Sequence, residues 1–478
     1  MGRVDHVSQT NEEPQHFDVV VIGGGPGGYA AGLYGASAGL DIALVEYDKV
    51  GGTCLHRGCI PAKELLETAA IVRTVKHAGD FGVMVEPKSV DWSKTLERKQ
   101  AVIDKLAGGV VGLLKNRKVT IFDGKGSLGP GRSVEVQGDD GASVSLTADA
   151  VILASGSVPR VLPGFEPDGR LVVTSDEFFE IPHVPRRAVV IGGGAIGCEF
   201  ASTLADLGAS VTILEALPKI LPGCDDDVTR VVLQAFRKKG IEVRTDVAVK
   251  EHQPNGEGTT VHFGEGETID TDLVVLAVGR VPNTEGLLRE GTGVAISERG
   301  HIEVDDRCRT GEESVWAVGD VINTPQLAHV GFAEAIVAIK DVLGESPAGV
   351  DYSRVPWAIY SHPEVAFAGY SEAAAKEAGH DVVTSRHRFG GNSRAQILGD
   401  TDGLVKIIAE KQPDGRAGRI LGVHMVGPWV TEQLSGGYLA VNWEATVDEV
   451  AEFIQPHPSL TELFGESVLA MTGRSLHG

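Results

Sequence analysis

The sequence predicts an α/β fold in which two similar parallel-sheet units precede a smaller α+β domain. The first observation is an apolar run, residues 17–22, that leads into a glycine-rich turn, a small-residue helix, a second apolar run and a glutamate. The second is that this whole pattern occurs again with the same internal spacing, so that Gly192 corresponds to Gly23. The third is the segment after residue 350, where alternating strand patterns mix with helical ones. Repetition on this scale indicates two related domains.

The composition excludes several classes of protein. With 478 residues, 42% of them hydrophobic, the chain is long enough for about three domains with large cores. Its 43 basic and 66 acidic residues give a formal net charge of −23, which disfavours a nucleic-acid partner. No apolar run approaches the roughly 18 residues of a membrane-spanning helix, so no membrane partner is expected either. Residues 1–16 are polar and lack the apolar core of a signal peptide, so we interpret them as a flexible tail and expect a cytoplasmic protein.

The first unit carries the fingerprint of a Rossmann-like dinucleotide-binding domain. After the strand at 17–22, Gly23 permits a tight turn, Gly25 allows backbone N–H groups to approach a pyrophosphate, and Gly28 allows the helix to pack on the strand. Glu46 ends the second strand and can accept hydrogen bonds from both ribose hydroxyls. A glycine-rich turn alone is weak evidence, but here it has the strands, helix and acid that a nucleotide site requires.

The second unit repeats these features. Glu215 ends its second strand, at the same distance from its glycine turn as Glu46 from the first. The turn positions assigned to the cofactor are Gly192, Gly194, Ala195, Ile196 and Gly197. Two later segments also match each other, and they contribute Ser155, Gly156 and Ser157 in one copy and Gly279 in the other. Two dinucleotide sites on one chain suggest electron transfer between a nicotinamide and a flavin.

Two features assign the cofactors to the two units. Residues 314–320 are predicted to form a strand that ends in Gly319 and Asp320, and an aspartate there suits the polyol chain of flavin adenine dinucleotide (FAD). We therefore expect FAD in the first unit and the nicotinamide cofactor in the second. The carboxylate of Glu215 would repel a 2′-phosphate and so favours NAD. The alternative is that Glu215 only ends a surface strand.

The segment Gly52-Thr53-Cys54-Leu55-His56-Arg57-Gly58-Cys59 is the most informative in the chain. In an ideal helix Cys54 and Cys59 would lie about 8 Å apart at Cα, beyond the roughly 4.4–6.8 Å of a disulfide. The segment must therefore be distorted if they are joined, and Gly58 supplies the freedom. Cys59 would lie near a helix N-terminus, whose dipole stabilises a thiolate. This layout is typical of a redox dithiol, and the alternative is two thiols that merely begin a helix.

The other cysteines and the C-terminal histidine complete the candidates. Cys198, Cys224 and Cys308 lack the paired spacing of zinc ligands, so no metal is expected. His457 stands between two prolines, which favour an extended conformation. Glu462 could orient its imidazole, although Ser459-Leu460-Thr461-Glu462 is also a capping-box pattern.

Together these motifs resemble the class I pyridine nucleotide-disulfide oxidoreductases, in particular the dihydrolipoamide dehydrogenases, from about residue 17 to 475. The resemblance implies FAD, NAD, a homodimer and a Cys54–Cys59 redox-active disulfide, with Cys54 exchanging with lipoamide and Cys59 against the flavin. It makes His457 the acid/base, with Glu462 its partner, acting on the other subunit's cysteines. Gln455 departs from the family, which usually has a histidine there.

The resemblance implies further site residues and domain limits. Lys63 and Glu199 would form an ion pair near the flavin–nicotinamide contact. The additional FAD contacts would be Gly52, Thr53, Gly126, Leu327, Ala328 and His329. The implied domains are a tail (1–16), an FAD-binding domain (17–165 and 295–350), an NAD-binding domain (166–294) and an α+β dimerisation domain (351–478).

The implied reaction is oxidation of dihydrolipoamide to lipoamide by NAD⁺, with a lipoyl domain of a 2-oxoacid dehydrogenase acyltransferase as the partner. Two other activities stay open: reduction of another low-molecular-weight disulfide, and NADH-dependent quinone reduction. A third possibility is that the chain serves chiefly as a docking component of a larger complex. Turnover of lipoamide compared with other disulfides, with NADH and NADPH, would separate them.

Overall fold

The computed structural model describes residues 14–86 and 89–477. Of these, the residues within Met1–Pro61, Arg98–Val158 and Arg280–Val350 form unit 1, and those within Ala62–Glu97, Pro159–Gly279 and Asp351–Gly478 form unit 2. Elements are numbered in chain order. Within the described residues, no helix combines the length and apolar character needed to cross a membrane.

Unit 1 is built on a mixed sheet flanked by helices. The strands of this sheet are β1 (Gln15–Ile22), β2 (Ile42–Glu46), β3 (Thr120–Asp123), β4 (Lys125–Gly129), β5 (Ser133–Gln137), β6 (Ser143–Leu153) and β17 (Val315–Ala317). A separate two-stranded sheet pairs β7 (Ser157–Pro159, whose last residue belongs to unit 2) with β16 (Arg280–Pro282). The helices of unit 1 are α1 (Pro26–Ser37), α2 (Gly52–Arg57) and α7 (Ala328–Val342), while α3 (Cys59–His77) and α4 (Trp92–Asn116) have residues in both units.

The strand order in this sheet is β3-β2-β1-β6-β5-β4, and β17 also pairs with β6. Strand β1 is parallel to both β2 and β6, with Val20 opposite Ala43 on one side and Val151 on the other. These residues are fully buried, as expected for a parallel strand covered on both faces. Because β1, β2, β6 and β17 run parallel, the residues that follow them meet at one edge of the sheet.

The start of β1 corrects one detail. Gln15 and His16 fall within the predicted N-terminal tail, but they extend β1 and pair with Leu146 and Thr147 of β6. The reason is that β6 is eleven residues long and offers backbone partners beyond the apolar part of β1. Residues 1–13 of the predicted tail lie outside the described residues.

Unit 2 contains a second parallel sheet, a small antiparallel sheet and a C-terminal antiparallel sheet. The first two comprise β8 (Val172–Val173), β9 (Arg187–Ile191), β10 (Ser210–Leu214), β11 (Glu242–Arg244), β12 (Val249–Asn255), β13 (Gly258–Phe263), β14 (Glu267–Thr271) and β15 (Leu273–Leu276), with helices α5 (Ala195–Asp206) and α6 (Asp226–Lys238). The C-terminal part comprises β18 (Trp357–Ile359), β19 (Glu364–Gly369), β20 (Val382–Arg388), β21 (Leu404–Lys411) and β22 (Ala417–Gly427), with helices α8 (Glu372–Glu377), α9 (Ser393–Leu398), α10 (Val430–Asn442), α11 (Val447–Ala451) and α12 (Glu462–Ala470).

The parallel sheet of unit 2 has the order β11-β10-β9-β15-β8, so that β9 lies between β10 and β15 as β1 lies between β2 and β6 in unit 1. The antiparallel sheets have the orders β12-β13-β14 and β18-β19-β22-β21-β20. The α/β fold with two Rossmann-like sheets and a C-terminal α+β part is therefore confirmed.

Candidate functional site

The first glycine turn joins β1 to α1 with almost no space for side chains. Gly23 has φ +108°, and a Cβ there would lie 2.2 Å from the carbonyl oxygen of Ala154. A Cβ at Gly28 would lie 1.7 Å from the carbonyl oxygen of Gly23. Gly25 precedes α1 and offers no side-chain cap, so the first N–H groups of the helix remain available to an anion. This cradle fits the pyrophosphate of a dinucleotide.

Glu46 is held rigidly beside that turn. Its Oε2 accepts the N–H of Gly24 at 2.6 Å and its Oε1 accepts the N–H of Asp48 at 2.8 Å. Burial raises the pKa of the Glu46 carboxyl, against the effect of these backbone hydrogen bonds. Each carboxylate oxygen keeps a second lone pair, so the group can still accept from ribose hydroxyls.

The second glycine turn, between β9 and α5, has the same construction. Gly192 has φ +106°, and a Cβ there would lie 2.3 Å from the carbonyl oxygen of Ala277. A Cβ at Gly197 would lie 2.0 Å from the carbonyl oxygen of Gly192. Gly194 provides no side-chain cap, and the helix begins at Ala195. Unit 2 therefore presents its own anion cradle.

Glu215 occupies the corresponding place next to this cradle. Its Oε2 accepts the N–H of Gly193 at 2.5 Å and its Oε1 accepts the N–H of Leu217 at 2.7 Å. Its side chain is buried, so the alternative that it merely ends a surface strand does not describe its environment. Ile196 is among the exposed apolar side chains at the start of α5, and Gly279 follows β15 with φ +97°.

A hydrogen-bonded group gathers at the ends of β6 and β17 in unit 1. The hydroxyl of Ser157 donates to Asp320 Oδ2 at 2.6 Å and accepts from Arg280 Nε at 2.7 Å. Arg280 also donates to the carbonyl oxygen of Ser157 at 2.7 Å. Asp320 is thus fixed at the carboxyl edge of the sheet, where its second oxygen can accept from a polyol.

Ser155 and Gly156 are held by a residue that the sequence motifs did not single out. The hydroxyl of Ser155 donates to the carbonyl oxygen of Asn283 at 2.7 Å, and the N–H of Asn283 donates to the carbonyl oxygen of Gly156 at 2.9 Å. Arg280 lies near the end of the second of the two matched segments, and Asn283 directly follows that segment. That position was the available signal for both.

The remaining expected FAD contacts also belong to unit 1. A Cβ at Gly126 would lie 2.9 Å from a methyl group of Ile22, so β4 packs closely against the end of β1. Leu327 and the two residues after it, Ala328 and His329, form the N-terminus of α7. In the same helix, the fully buried Glu334 accepts the N–H of Gly319 at 2.6 Å. The sequence signal for Glu334 was an acid within an apolar helix.

The cysteine segment is anchored to the first glycine turn. The N–H of Gly51 donates to the carbonyl oxygen of Gly24 at 2.8 Å, and a Cβ at Gly52 would lie 2.6 Å from Cα of Gly25. Cys54, one residue after Thr53, lies in α2, and Cys59 begins α3. The helix is interrupted at Gly58, the position expected to supply conformational freedom. Both cysteines are half-buried.

Tyr29 lies within electrostatic range of both cysteines. Burial, together with the negative charge that Cys54 and Cys59 carry as thiolates, raises the pKa of its phenol to about 12. Its ring packs against Phe332 with centroids 5.6 Å apart. The phenol therefore stays protonated and can act only as a neutral neighbour of the thiols. No sequence motif identified it.

Lys63 and Glu199 form the predicted ion pair within unit 2. Nζ of Lys63 lies 2.9 Å from each carboxylate oxygen, and the N–H of Tyr360 donates to Glu199 Oε1 at 2.8 Å. The Glu199 side chain is 6% exposed and that of Lys63 is 34% exposed. A buried carboxylate of this kind is costly unless it is satisfied, which supports a functional interpretation.

His457 and Glu462 are in contact. Nδ1 of His457 lies 2.7 Å from Glu462 Oε1, and the N–H of Ser459 donates to Glu462 Oε2 at 2.7 Å. The imidazole is 69% exposed. Only half of the capping-box pattern is present: the Ser459 N–H binds Glu462, but α12 begins at Glu462 and Thr461 caps it without a side-chain hydrogen bond. Glu462 thus supports the turn at Ser459 and also orients the histidine.

Comparisons with known proteins agree with this arrangement. The model of the pyridine nucleotide-disulphide oxidoreductase family matches residues 17–335, and that of its dimerisation domain matches residues 355–468. The latter supports a homodimer. A dihydrolipoyl dehydrogenase of Bacillus subtilis is 41% identical over 96% of this chain and 99% of its own length. One from Cupriavidus necator is 37% identical over 97% and 99%.

Solved structures share the fold over nearly the whole chain. LpdA of Mycobacterium tuberculosis superimposes with a TM-score of 0.89 at 24% identity, covering 96% of this chain and 99% of that one. The HOCl-induced flavoprotein disulfide reductase RclA of Escherichia coli superimposes with a TM-score of 0.84 at 26% identity, covering 95% and 99%. This chain belongs to the pyridine nucleotide-disulphide oxidoreductase family.

Proposed function

We propose that this chain is an NAD-dependent dihydrolipoyl dehydrogenase that works as an FAD-containing homodimer in the cytoplasm. The observation that carries the proposal is the anchoring of Cys54 and its helix on the glycine turn of unit 1 through Gly51 and Gly52. A redox dithiol attached to a dinucleotide cradle can exchange electrons with the cofactor bound there. Relatives that match nearly the full length of the chain are named dihydrolipoyl dehydrogenase.

The family and these relatives use FAD and NAD(H), and both cradles fit such cofactors. FAD would lie in unit 1, with Glu46 toward the ribose and Asp320 toward the polyol chain. NAD would lie in unit 2, where the buried carboxylate of Glu215 disfavours a 2′-phosphate. When bound, FAD accepts an electron pair from a dithiol and passes it to NAD⁺ as a hydride.

The thiol chemistry would proceed by disulfide exchange. A thiolate of the dihydrolipoyl group attacks Sγ of Cys54, the Cys54–Cys59 bond breaks, and Cys59 leaves as a thiolate. The second dihydrolipoyl thiolate then attacks the mixed disulfide, which releases the oxidised lipoyl group and leaves a reduced Cys54. The balanced overall reaction is dihydrolipoyl group plus NAD⁺ giving lipoyl group, NADH and a proton.

His457 would handle the protons of this exchange. With Nδ1 bound to Glu462, Nε2 carries the lone pair and can accept the thiol proton of the substrate. Glu462 stabilises the imidazolium that results and prevents the ring from turning. The His457 side chain is largely exposed, which leaves it accessible to the cysteines of the other subunit in the homodimer, as the resemblance implies.

The substrate would be a lipoyl group carried on the lipoyl domain of a 2-oxoacid dehydrogenase acyltransferase. A lipoyl dithiol has the same reacting groups as the enzyme's own cysteines, so exchange needs no other reagent. The nearest alternative is a different disulfide substrate, and the structural similarity to a flavoprotein disulfide reductase supports keeping it in the test.

Steady-state turnover tests the proposal. The purified holoenzyme should reduce NAD⁺ with dihydrolipoamide, and NADP⁺ should be a poor substitute because of Glu215. Lipoamide should be reduced faster than oxidised low-molecular-weight thiols in the reverse direction. Negligible dihydrolipoamide turnover, together with rapid reduction of another disulfide, would reject the substrate. Quinone reduction that survives Cys54→Ser while lipoamide activity is absent from the wild type would point to a quinone reductase.

A further inference from the structure

Tyr360 contacts both members of the Lys63–Glu199 pair. Its backbone N–H donates to Glu199 Oε1 at 2.8 Å. Its ring lies against the ammonium, with Nζ of Lys63 4.8 Å from the ring centroid. The same Nζ is 2.9 Å from each oxygen of Glu199. The ammonium is therefore held between a carboxylate and an aromatic face.

The side chain of Thr431 in α10 lies beside the Tyr360 hydroxyl. Thr431 in turn donates its N–H, at 3.1 Å, and its hydroxyl, at 2.7 Å, to Glu364. The backbone hydrogen bond to Glu199 holds Tyr360 beside the pair, with its ring against the Lys63 ammonium. Burial raises the pKa of the phenol, so it is neutral when the ammonium is charged.

Lys63 needs such a constraint more than Glu199 does. The carboxylate is almost fully buried and bound by a backbone N–H, whereas the lysine side chain is 34% exposed and ends a flexible four-carbon stem. Several rotamers of that stem could reach one carboxylate oxygen. An aromatic face on the other side of the ammonium selects among them, because a cation is attracted to the ring.

We propose that Tyr360 is a positioning residue whose aromatic face confines the Lys63 ammonium to the Glu199 carboxylate and so fixes the charge that this pair presents during electron transfer between NADH and the flavin. The inference rests on the proposed function only in that it takes Lys63 and Glu199 to act in this step.

The test measures the rate at which NADH reduces the enzyme-bound flavin under anaerobic conditions, in a rapid-mixing experiment. Tyr360→Leu removes the ring but keeps the backbone N–H to Glu199, and should slow this step about 5- to 30-fold. Tyr360→Phe keeps the face and should restore most of the rate. Tyr360→Met should slow the step to the same extent as Tyr360→Leu, and it takes the place of that variant if Tyr360→Leu does not fold. Tyr370→Leu, which truncates a ring packed on His380 instead, is the matched control and should leave the rate unchanged.

A double-mutant cycle with Lys63→Met distinguishes positioning from general support of the fold. In the Lys63→Met background, Tyr360→Leu should have no further effect, since the ring would no longer have an ammonium to confine. Additive losses would overturn the proposal, and so would a normal rate in Tyr360→Leu or equal losses in the leucine and phenylalanine variants. If the lipoyl substrate were wrong, wild-type dihydrolipoamide turnover would fail while this NADH step stayed measurable, so the two failures can be told apart.

Discussion

Glu46 and Glu215 make the same pair of hydrogen bonds at equivalent places in two separate sheets. In each case one carboxylate oxygen accepts the N–H of the second glycine of the turn, and the other accepts the N–H two residues further along the chain. Their distances differ by only about a tenth of an ångström: 2.6 and 2.8 Å for Glu46, and 2.5 and 2.7 Å for Glu215. The carboxylate is therefore part of the cradle in both units.

The equivalence predicts that replacing each acid weakens the binding of a different cofactor. Glu215→Ala should raise KM for NAD⁺ at least about 10-fold, since a lost charged hydrogen bond is worth about 1.5–3 kcal/mol, while FAD content stays at one per chain. Glu46→Ala should instead weaken FAD retention. Kinetics and the flavin absorbance of dialysed protein measure the two effects. Glu215→Gln, which keeps the size and an acceptor oxygen, is the control and should lose less. Loss of FAD from Glu215→Ala would contradict the assignment.

The cysteines predict a separation of lipoamide turnover from flavin binding. Cys54→Ser and Cys59→Ser should each abolish dihydrolipoamide turnover, because serine can neither form nor break the disulfide, while FAD remains bound. Cys308→Ala is the matched control: its thiol is buried in unit 1, and burial raises its pKa well above that of an ordinary thiol. It should keep its activity. Undiminished turnover in Cys54→Ser would sink the disulfide assignment.

The glycine turns could be predicted because they are local. A Cβ at Gly23 or Gly28 meets backbone atoms at once, so the chain permits no other residue there, and the pattern of short strand, turn and acid shows this directly. The ion pair of Lys63 and Glu199 came from the resemblance to a family, because no local pattern joins residues so far apart in sequence.

Residues whose role comes from distant contacts escaped prediction. Glu334 binds Gly319 from another element, and Tyr360 reaches Glu199 only through the fold. Tyr29 lies in a small-residue helix and belongs to no motif. Its proximity to Cys54 and Cys59 arises only because the folded chain packs α2 against the glycine turn. Gln455 also makes its contact only through the fold, since its side chain occupies the space beside Gly465.

The contact between His457 and Glu462 predicts which half of the reaction each variant slows. His457→Gln should slow thiol exchange with dihydrolipoamide by about 10²–10⁴-fold, the usual contribution of a general acid/base, and leave flavin reduction by NADH nearly intact. Glu462→Gln should show the same selectivity with a smaller loss, because it weakens orientation and imidazolium stabilisation without removing the base. Single-turnover mixing measures both halves separately.

A control lies close by in His477, which is bound to Glu466 at 3.1 Å and is 76% exposed. His477→Gln should leave both half-reactions unchanged. Equal slowing of thiol exchange and NADH-to-flavin transfer in His457→Gln would rule out the acid/base role and indicate a structural one.

Lys406 predicts a large effect on stability away from the candidate site. Its ammonium is almost completely buried and donates to Asp225 at 2.9 Å, Asp227 at 2.9 Å and Glu372 at 2.7 Å. All three N–H donors are thus used, two at the start of α6 and one at Glu372 in α8. Lys406→Met should lower the free energy of unfolding by about 3–5 kcal/mol, because it removes the ammonium that binds the almost fully buried Asp225 and one of the cations that bind Asp227 and Glu372. Urea unfolding of the holoenzyme measures this loss.

The exposed partner of the same cluster supplies the comparison. Lys376 binds Glu372 at 2.6 Å from one helical turn away, and its side chain is 59% exposed. Lys376→Met should change the free energy of unfolding by no more than about 0.5 kcal/mol, as for other exposed pairs on a helix. If both lysine variants lost a similar amount of free energy of unfolding, the burial of Lys406 could not explain its contribution to stability.

The cluster also sets a pH window for that contribution. Burial opposes ionisation of Asp227, but hydrogen bonds from Lys406 and Arg230 lower its pKa below 3.8, and hydrogen bonds from Lys376 and Lys406 lower that of Glu372 below 4.5. Stability from these carboxylates is present above those ordinary values and is lost as pH falls through the depressed ones. Burial lowers the pKa of Lys406, yet its three carboxylate partners raise it above 10.5 overall, so its contribution is complete below pH 10.5 and is lost only above.

The stability difference between wild type and Lys406→Met should therefore be constant between about pH 6 and 9 and shrink in acid, where both proteins carry protonated carboxylates. Unfolding curves at several pH values, with Lys376→Met in parallel, measure this dependence. A difference that stayed constant down to pH 3 would contradict the charge-based explanation. Such a result would mean that the lost stability comes from the packing of the lysine side chain, which methionine does not reproduce, and not from its charge.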